Sequence, residues 1–153
     1  MPSLDPNPVL DALVSHALAS GYFERVNSHE PKNAPGNGLS VAVWADWIGP
    51  ATAASGLATT SVLMRFNVRV FSNMIQEPQD AIDPTLLTAV GALMEAYTGD
   101  FTLGGLVREV DLLGQYGPGL SGQAGYLNQD GKLYRVMTIT VPLVLDDVWS
   151  QQP

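Results

Sequence analysis

The chain alternates between stretches whose apolar residues recur at helical spacing and stretches in which apolar and polar residues alternate. Apolar residues spaced three to four positions apart between Val9 and Leu18 predict a helix over 8–20, with Gly21 as its C-terminal stop. Asp83-Pro84 predicts the start of a second helix, which ends at Gly99. The apolar stripe of this second helix comprises Leu86, Leu87, Val90, Leu93, Met94 and Tyr97.

Strand patterns occupy much of the remaining chain. The clearest runs from Ser61 to Phe71, where one side alternates apolar residues and the other carries Arg65 and Arg69. An Asp130-Gly131 hairpin signal precedes another strand. The further predicted strands are 22–26, 39–48, 106–113 and 133–145. Turn residues dominate three segments, which are predicted to be loops: 30–38, 49–60 and 114–125.

Strands that follow one another, rather than alternating with helices, indicate an antiparallel sheet. The sequence therefore predicts an α+β fold, a single domain over 1–153 with two helices packed on one face of the sheet and long glycine-rich loops. Residues 1–7 and 150–153 are expected to be flexible ends. Regular alternation also predicts that Trp44 and Trp47 lie on opposite faces, and that Glu109 and Asp111 point outward.

Composition narrows the function classes. The net charge is −8, and the seven Lys and Arg residues are dispersed, so tight binding to nucleic acid or to an anionic membrane is not expected. The absence of cysteine excludes disulfides and thiolate metal sites. No signal peptide or run of ~20 apolar residues is visible, so we expect a soluble protein that is made and kept inside a cell.

No pattern of residues predicts an active site. His16 and His29 lack metal-ligand spacing, and a structural or surface role is preferred for both. Residues 117–122 match G-x-G-x-x-G, but Pro118 removes a backbone N–H and no helix follows. Residues 125–132 are interpreted as a hairpin turn rather than a phosphate-binding loop. We therefore expect no enzyme activity, no catalytic residues, no cofactor and no metal.

Two carboxylate pairs, Asp146-Asp147 and Glu109 with Asp111, could hold a divalent cation or act as acid and base. The preferred interpretation is a solvated face, since alternating carboxylates on a strand usually face water.

Exposed aromatic and cationic residues favour an interface between subunits. Arg65 and Arg69 lie about 13 Å apart by strand rise, too far for one phosphate, and are interpreted as salt-bridge partners of a neighbouring strand or subunit. Trp44 or Trp47 must lie outside the core, and exposed tryptophan is typical of interfaces. Loops 49–60 and 114–125 are expected to contact other subunits or rings. The predicted interface comprises Trp44, Gly49, Pro50, Leu57, Leu63, Arg65, Arg69, Phe71, Tyr116, Pro118, Leu120 and Trp149.

The segment from Gly125 to Val144 reads GYLNQDGKLYRVMTITVPLV and continues to Asp147-Val148-Trp149. It resembles the C-terminal part of tail terminator proteins from long-tailed, siphovirus-type actinobacterial phages. The other elements match more loosely, in order: a leading helix, a strand near Val41–Trp44, the strand 65–71 and a helix from Pro84. The resemblance implies an α+β subunit of a homohexameric ring. That ring caps the finished tail tube, stops its polymerisation and joins it to a head-completion or stopper protein.

The resemblance further implies a virion protein of the tail-neck region that is assembled in the host cytoplasm, with DNA passing through the lumen without specific binding. An acidic inner wall would repel passing DNA. Its candidates are Glu77, Asp80, Asp83, Glu95, Asp100, Asp146 and Asp147, although acids that only maintain solubility explain them as well. Two alternatives stay open: another neck or tail ring protein, such as a stopper or tube subunit, and a small ligand-binding or enzymatic α+β domain.

Overall fold

The computed structural model of the protein describes residues 5–23, 25–27, 39–51, 59–73, 82–129 and 131–150. These residues confirm the predicted α+β fold, with two helices against a sheet. In chain order, the elements are α1 (Asn7–Ser20), β1 (Arg25–Asn27), β2 (Leu39–Pro50), β3 (Thr59–Asn73), α2 (Ile82–Gly99), β4 (Glu109–Val110), β5 (Ser121–Gln129) and β6 (Lys132–Ser150).

The sheet is built around the long pair of β3 and β6. Its order is β1-β2-β3-β6-β4, and β5 also pairs with β6. The far edge of β6 is therefore shared, with β5 beside 132–140 and β4 beside 143–144. All pairs are antiparallel as predicted except β1 with β2, which is parallel. The hairpin predicted at Gly131 joins β5 to β6.

Both helices cover the same face of the sheet, as predicted. Alternate residues of β3, such as Phe66 and Val68, are buried beneath α1 and α2 together with Ile139 and Val141 of β6. The two helices also contact each other, where the buried Tyr97 hydroxyl donates to the backbone oxygen of Leu13 at 3.2 Å. Burial raises the pKa of Tyr97 far above its ordinary value. This face carries the main hydrophobic core.

The apolar stripes of the helices are narrower than predicted. Leu18 of α1 and Leu87 of α2 are exposed, whereas Leu13 and Leu86 are buried. Each exposed leucine lies at the margin of its stripe, where the curved helix surface turns away from the sheet. Of the ends expected to be flexible, 1–4 and 151–153 lie outside the described residues, while Asn7 begins α1 and Ser150 ends β6. Their flexibility stays a prediction.

The region between α2 and β6 differs most from expectation. The strand predicted over 106–113 is reduced to Glu109–Val110, because residues 100–106 form turns in which Asp100 accepts the Gly104 N–H. Of the glycine-rich loop predicted over 114–125, only the first part is a loop, since Ser121 begins β5. The predicted loop 30–38 lies outside the described residues, as does 52–58 of the predicted loop 49–60, whose ends belong to β2 and β3.

Candidate partner-binding face

The sheet face opposite the helices, called here the outer face, carries the polar and aromatic residues of the candidate site. On β3 this face presents Leu63, Arg65, Asn67, Arg69 and Phe71, the residues that alternate with the core positions. Arg69 lies beside Ala42 of β2 on one side and Thr138 of β6 on the other. Neither described helix packs on this side, so the face is left for contacts of another kind.

A β-bulge brings both tryptophans of β2 to the outer face. The register of β2 against β3 shifts between Ala45 and Trp47. The extra residue reverses the alternation, since a bulge places two residues opposite one. The Arg69 guanidinium lies over Trp44 at 5.2 Å from the ring centroid, and that of Arg65 lies over Trp47 at 4.6 Å. The prediction that the two tryptophans lie on opposite faces is therefore wrong.

Arg65 and Arg69 have no carboxylate partner among the described residues. The ion pairs in that part of the chain are His16 with Asp100 and Arg108 with Asp146. Arg69 Nε instead donates to Thr138 Oγ1 at 2.8 Å, and Arg65 Nε is buried without a hydrogen-bond partner. A salt bridge to a neighbouring strand of the same chain, one of the two interpretations above, is thus not found here. Cations of this kind are suited to bind an anionic group on another molecule.

An open groove of about 390 Å³ lies next to Arg69 on the outer face. It runs between β3 and β5 across β6, and its walls offer hydrogen-bond donors and acceptors together with one cation. The polar residues lining it are Asn67, Arg69, Gln123, Thr138 and Thr140. Such a lining can accommodate a polar or acidic side chain of a protein partner.

Small apolar clusters close both ends of this polar region. Phe71 packs with Ala42, Tyr134 and Val136 at one end. Leu63 packs with Ala51 and Val144 at the other, beneath Tyr116. Leu63 and Phe71 do face outward as predicted, but they are only 3% and 1% exposed. They therefore support the arginine and tryptophan side chains from within the chain and offer little surface of their own.

Asp111 shapes the loop that covers one end of the outer face. Its side chain, predicted to point outward, is 2% exposed. Its carboxylate accepts the backbone N–H groups of Gly114 at 3.2 Å, Gln115 at 2.8 Å and Tyr116 at 3.0 Å. These bonds turn the chain back so that Tyr116 packs against Leu63. The available sequence signal was an aspartate three residues before Gly114, where a segment of turn residues begins, since aspartate side chains often accept nearby backbone N–H groups.

The other predicted interface residues are scattered. Gly49 is required where it lies, because a Cβ there would be 2.4 Å from the Trp47 ring. Pro50 and Pro118 are exposed, and Leu120 is half-buried against the main core. Leu57 is outside the described residues. Trp149 is 40% exposed at the end of β6. The interface role of these residues stays a prediction.

Of the acids predicted to line a lumen, two are paired and one is exposed among the described side chains. Asp100 pairs with His16 at 2.9 Å and Asp146 with Arg108 at 3.2 Å, while Glu95 is exposed. Glu77 and Asp80 fall outside the described residues, as do the side chains of Asp83 and Asp147.

Two ion pairs shift the pKa of one of their members. The hydrogen bond to His16 lowers the pKa of Asp100, and the imidazole lies edge-on to Tyr97 at 5.7 Å. The negative charge of Asp146 raises the pKa of Arg108. His29 lies outside the described residues. Within the described ranges, no group of three metal-ligating side chains occurs, and neither helix is long and apolar enough to cross a membrane.

Comparison with known proteins finds similarity to solved structures only. No protein-family model matches the chain, and no curated protein matches it. Among solved structures, the chain is similar to the sheath/tube terminator of an extracellular contractile injection system, PVC, in its extended state. The overlap has a TM-score of 0.44 and 14% identity, and covers 100% of this chain and 61% of that chain. The neighbour is of the same general kind as the family that the sequence resembles.

Proposed function

We propose that this chain is a structural subunit of a phage tail, a ring-forming tail terminator that caps the tail tube and connects it to the head-completion proteins. The observation that carries the proposal is the outer face. A protein of net charge −8 leaves Arg65 and Arg69 stacked on tryptophans, beside a polar groove, without a carboxylate partner in the described chain. Such a face is suited to contact acidic residues of another protein.

The segment that resembles the phage family builds the same face. Residues 125–149 supply most of β6 and the second half of β5, which form the groove together with β3. The specific role of a terminator comes from that resemblance. The outer face supports protein assembly, because its stacked arginines and polar groove are suited to contacts with another protein.

The proposal is tested by removing the chain from the phage that encodes it. We expect tails of irregular, excessive length that do not join heads, as seen by electron microscopy of lysates, and restored length when the chain is supplied again. Loss of all tails would instead indicate a tube subunit. Tails of normal length beside unjoined heads would indicate a stopper. Normal, infectious particles would contradict every structural role.

A second measurement addresses the ring itself. Mass photometry of the pure protein, with and without tail tubes, should show a hexamer in at least one of the two conditions. A chain that is monomeric in both, and absent from purified tails, would overturn the proposal.

A further inference from the structure

The strand β5 presents an unprotected edge. It spans nine residues, pairs in unbroken register with β6, and no described strand lies on its other side. Its sequence, SGQAGYLNQ, contains no charged residue and no proline. Natural proteins usually protect such an edge with charges, prolines, bulges or a covering element, because a free edge invites pairing with another chain. The edge of β5 has none of these within the described chain.

The opposite edge of the sheet is free over part of its length. On β2, the short strand β1 covers only Ser40 to Ala42, so the half from Val43 to Pro50 faces no described strand. This half exposes Trp47 by 40% and Ile48 by 47%. It also carries Asp46, an exposed carboxylate with no partner among the described residues. The bulge and the Asp46 charge on this half of β2 disfavour pairing with most strands, so it can pair only with a strand that fits both features.

Strand direction makes the two edges compatible. Neighbours in the series β2, β3, β6 and β5 are all antiparallel, so β5 runs opposite to β2. A second copy placed with its β2 beside β5 would continue the alternation without reversing the subunit. A contact between two different surfaces of identical chains is heterologous, which is the kind that closes into rings.

The two edges are also staggered along the strand direction. Gly125 of β5 stands level with Ser40 of β2, through Val136 and Phe71 between them. The free half of β2 begins beyond that level, at Val43. Joining the edges therefore requires the neighbour to be displaced along the strands, and closure of a sheet into a barrel requires just such a stagger.

We infer that the β5 edge of one copy pairs with the free half of β2 of the next copy, so that the sheet continues from subunit to subunit. The inference rests on the proposed ring and specifies how its subunits join. The pairing places Asp46 of one copy beside the edge of β5 of the next, where β5 offers no acidic residue to oppose it. It also covers Trp47 and Ile48.

The absence of cysteine allows a direct test by disulfide cross-linking. Double variants combine Ala45→Cys or Ile48→Cys on β2 with Gly122→Cys or Ala124→Cys on β5. All four positions lie on the helix-covered side of the sheet, and two are tested on each strand because the register between copies is open. They are oxidised both as pure protein and in purified tails, and separated on denaturing gels. Single-cysteine variants and the double variant Ala124→Cys with Ser15→Cys, whose second site is exposed on α1, serve as controls.

At least one β2/β5 double variant should give a ladder of dimer, trimer and higher species, since each copy links to two neighbours. Dimers alone from Ala124→Cys as a single variant would indicate a symmetric β5–β5 contact and overturn the inference. A ladder from the Ser15 control, or no cross-linking in either preparation, would also overturn it.

An edge-blocking variant gives an independent measurement. Ala124→Lys should abolish the ring species, whereas Ala19→Lys, on the exposed side of α1, should leave them unchanged. Circular dichroism confirms that both variants fold. If Ala124→Lys still forms rings that cap tails of normal length, the edge pairing fails while the terminator role stands. If the cross-link ladder forms but tails lacking the chain have normal length, the function fails while the pairing stands.

Discussion

The two faces of the sheet use the same strands for different purposes. On the helix-covered face, alternate residues of β3 and β6 form one continuous apolar core with α1 and α2. On the outer face, the intervening residues of the same strands form two small apolar clusters separated by arginine, asparagine and threonine. Residues adjacent in the chain thus belong to two different surfaces, one apolar and buried and the other largely polar. Stability is concentrated on one face, which leaves the other free to carry recognition.

The largest effect is expected where the core is densest. Phe66→Ala should lower the free energy of unfolding by about 3–5 kcal/mol, because it leaves a cavity where Phe66 is 1% exposed. Its chain neighbour Asn67 faces outward, and Asn67→Ala should change stability by about 0.5 kcal/mol or less. Urea denaturation measures both. Similar losses for the two variants would show that the outer face is as stabilising as the core.

The next effect concerns Asp111, which orders the loop over the outer face. Asp111→Ala should cost about 3 kcal/mol, because it removes the acceptor of three backbone N–H groups at a buried position. Asp111→Asn keeps one side-chain oxygen and should cost less. Hydrogen exchange should show faster exchange at Gln115 and Tyr116 in the alanine variant, with α1 and α2 unchanged. Slow exchange at both amides would contradict this.

Replacing the two stacked arginines should have a small effect on stability and a larger effect on assembly. Arg65→Gln and Arg69→Gln should each change the free energy of unfolding by about 1 kcal/mol, since cation–π contacts of half-buried arginines are weak. Both should weaken ring formation and reduce its dependence on salt, measured by mass photometry over a salt series. Arg108→Gln is the control, because Arg108 already pairs with Asp146. Unchanged assembly in the Arg65 and Arg69 variants would show that the outer face is not part of the interface.

The smallest expected effect is a pH dependence of the free energy of unfolding, which arises from the Asp100–His16 pair on the helix-covered side. The hydrogen bond to His16 lowers the pKa of Asp100 below its ordinary 3.8. A lowered carboxyl pKa contributes stability that is present above 3.8 and is lost as the pH falls through the lowered value. Asp100→Asn should therefore flatten the stability profile in acid, as measured by urea denaturation between about pH 5 and pH 2. An unchanged profile would mean that the pair contributes nothing.

The helices and the central strand were predictable because one physical signal dominates each. Apolar periodicity located α1 and α2, and strict alternation located β3. These elements bury one face against a large core, so their patterns are sharp. The prediction also placed Arg65 and Arg69 on the face away from the helices. It could not find the position of Trp47, because the bulge before it depends on pairing with β3 and leaves no local signature.

The region after α2 was less predictable for a different reason. Ser121 to Gly125 contains small and glycine residues that disfavour strands when considered locally, yet they pair with β6 throughout. Their conformation is set by the partner strand. Asp111 was likewise assigned to a solvated face, since the three N–H groups that it accepts become available only when the loop folds back.

The central position of β6 has a consequence for the order of folding. Every other described element precedes β6 in the chain, yet β6 lies between β3 on one side and β4 and β5 on the other. During synthesis on the ribosome, α1, α2 and the β2–β3 pair can therefore form early, but the core side of β3 has no neighbour on its second edge until residues 132–150 emerge. Closing the sheet then joins segments far apart in sequence, which slows folding. The apolar face of β3 thus stays partly uncovered until β6 is synthesised, and the nascent chain is most vulnerable to aggregation before residues 132–150 emerge.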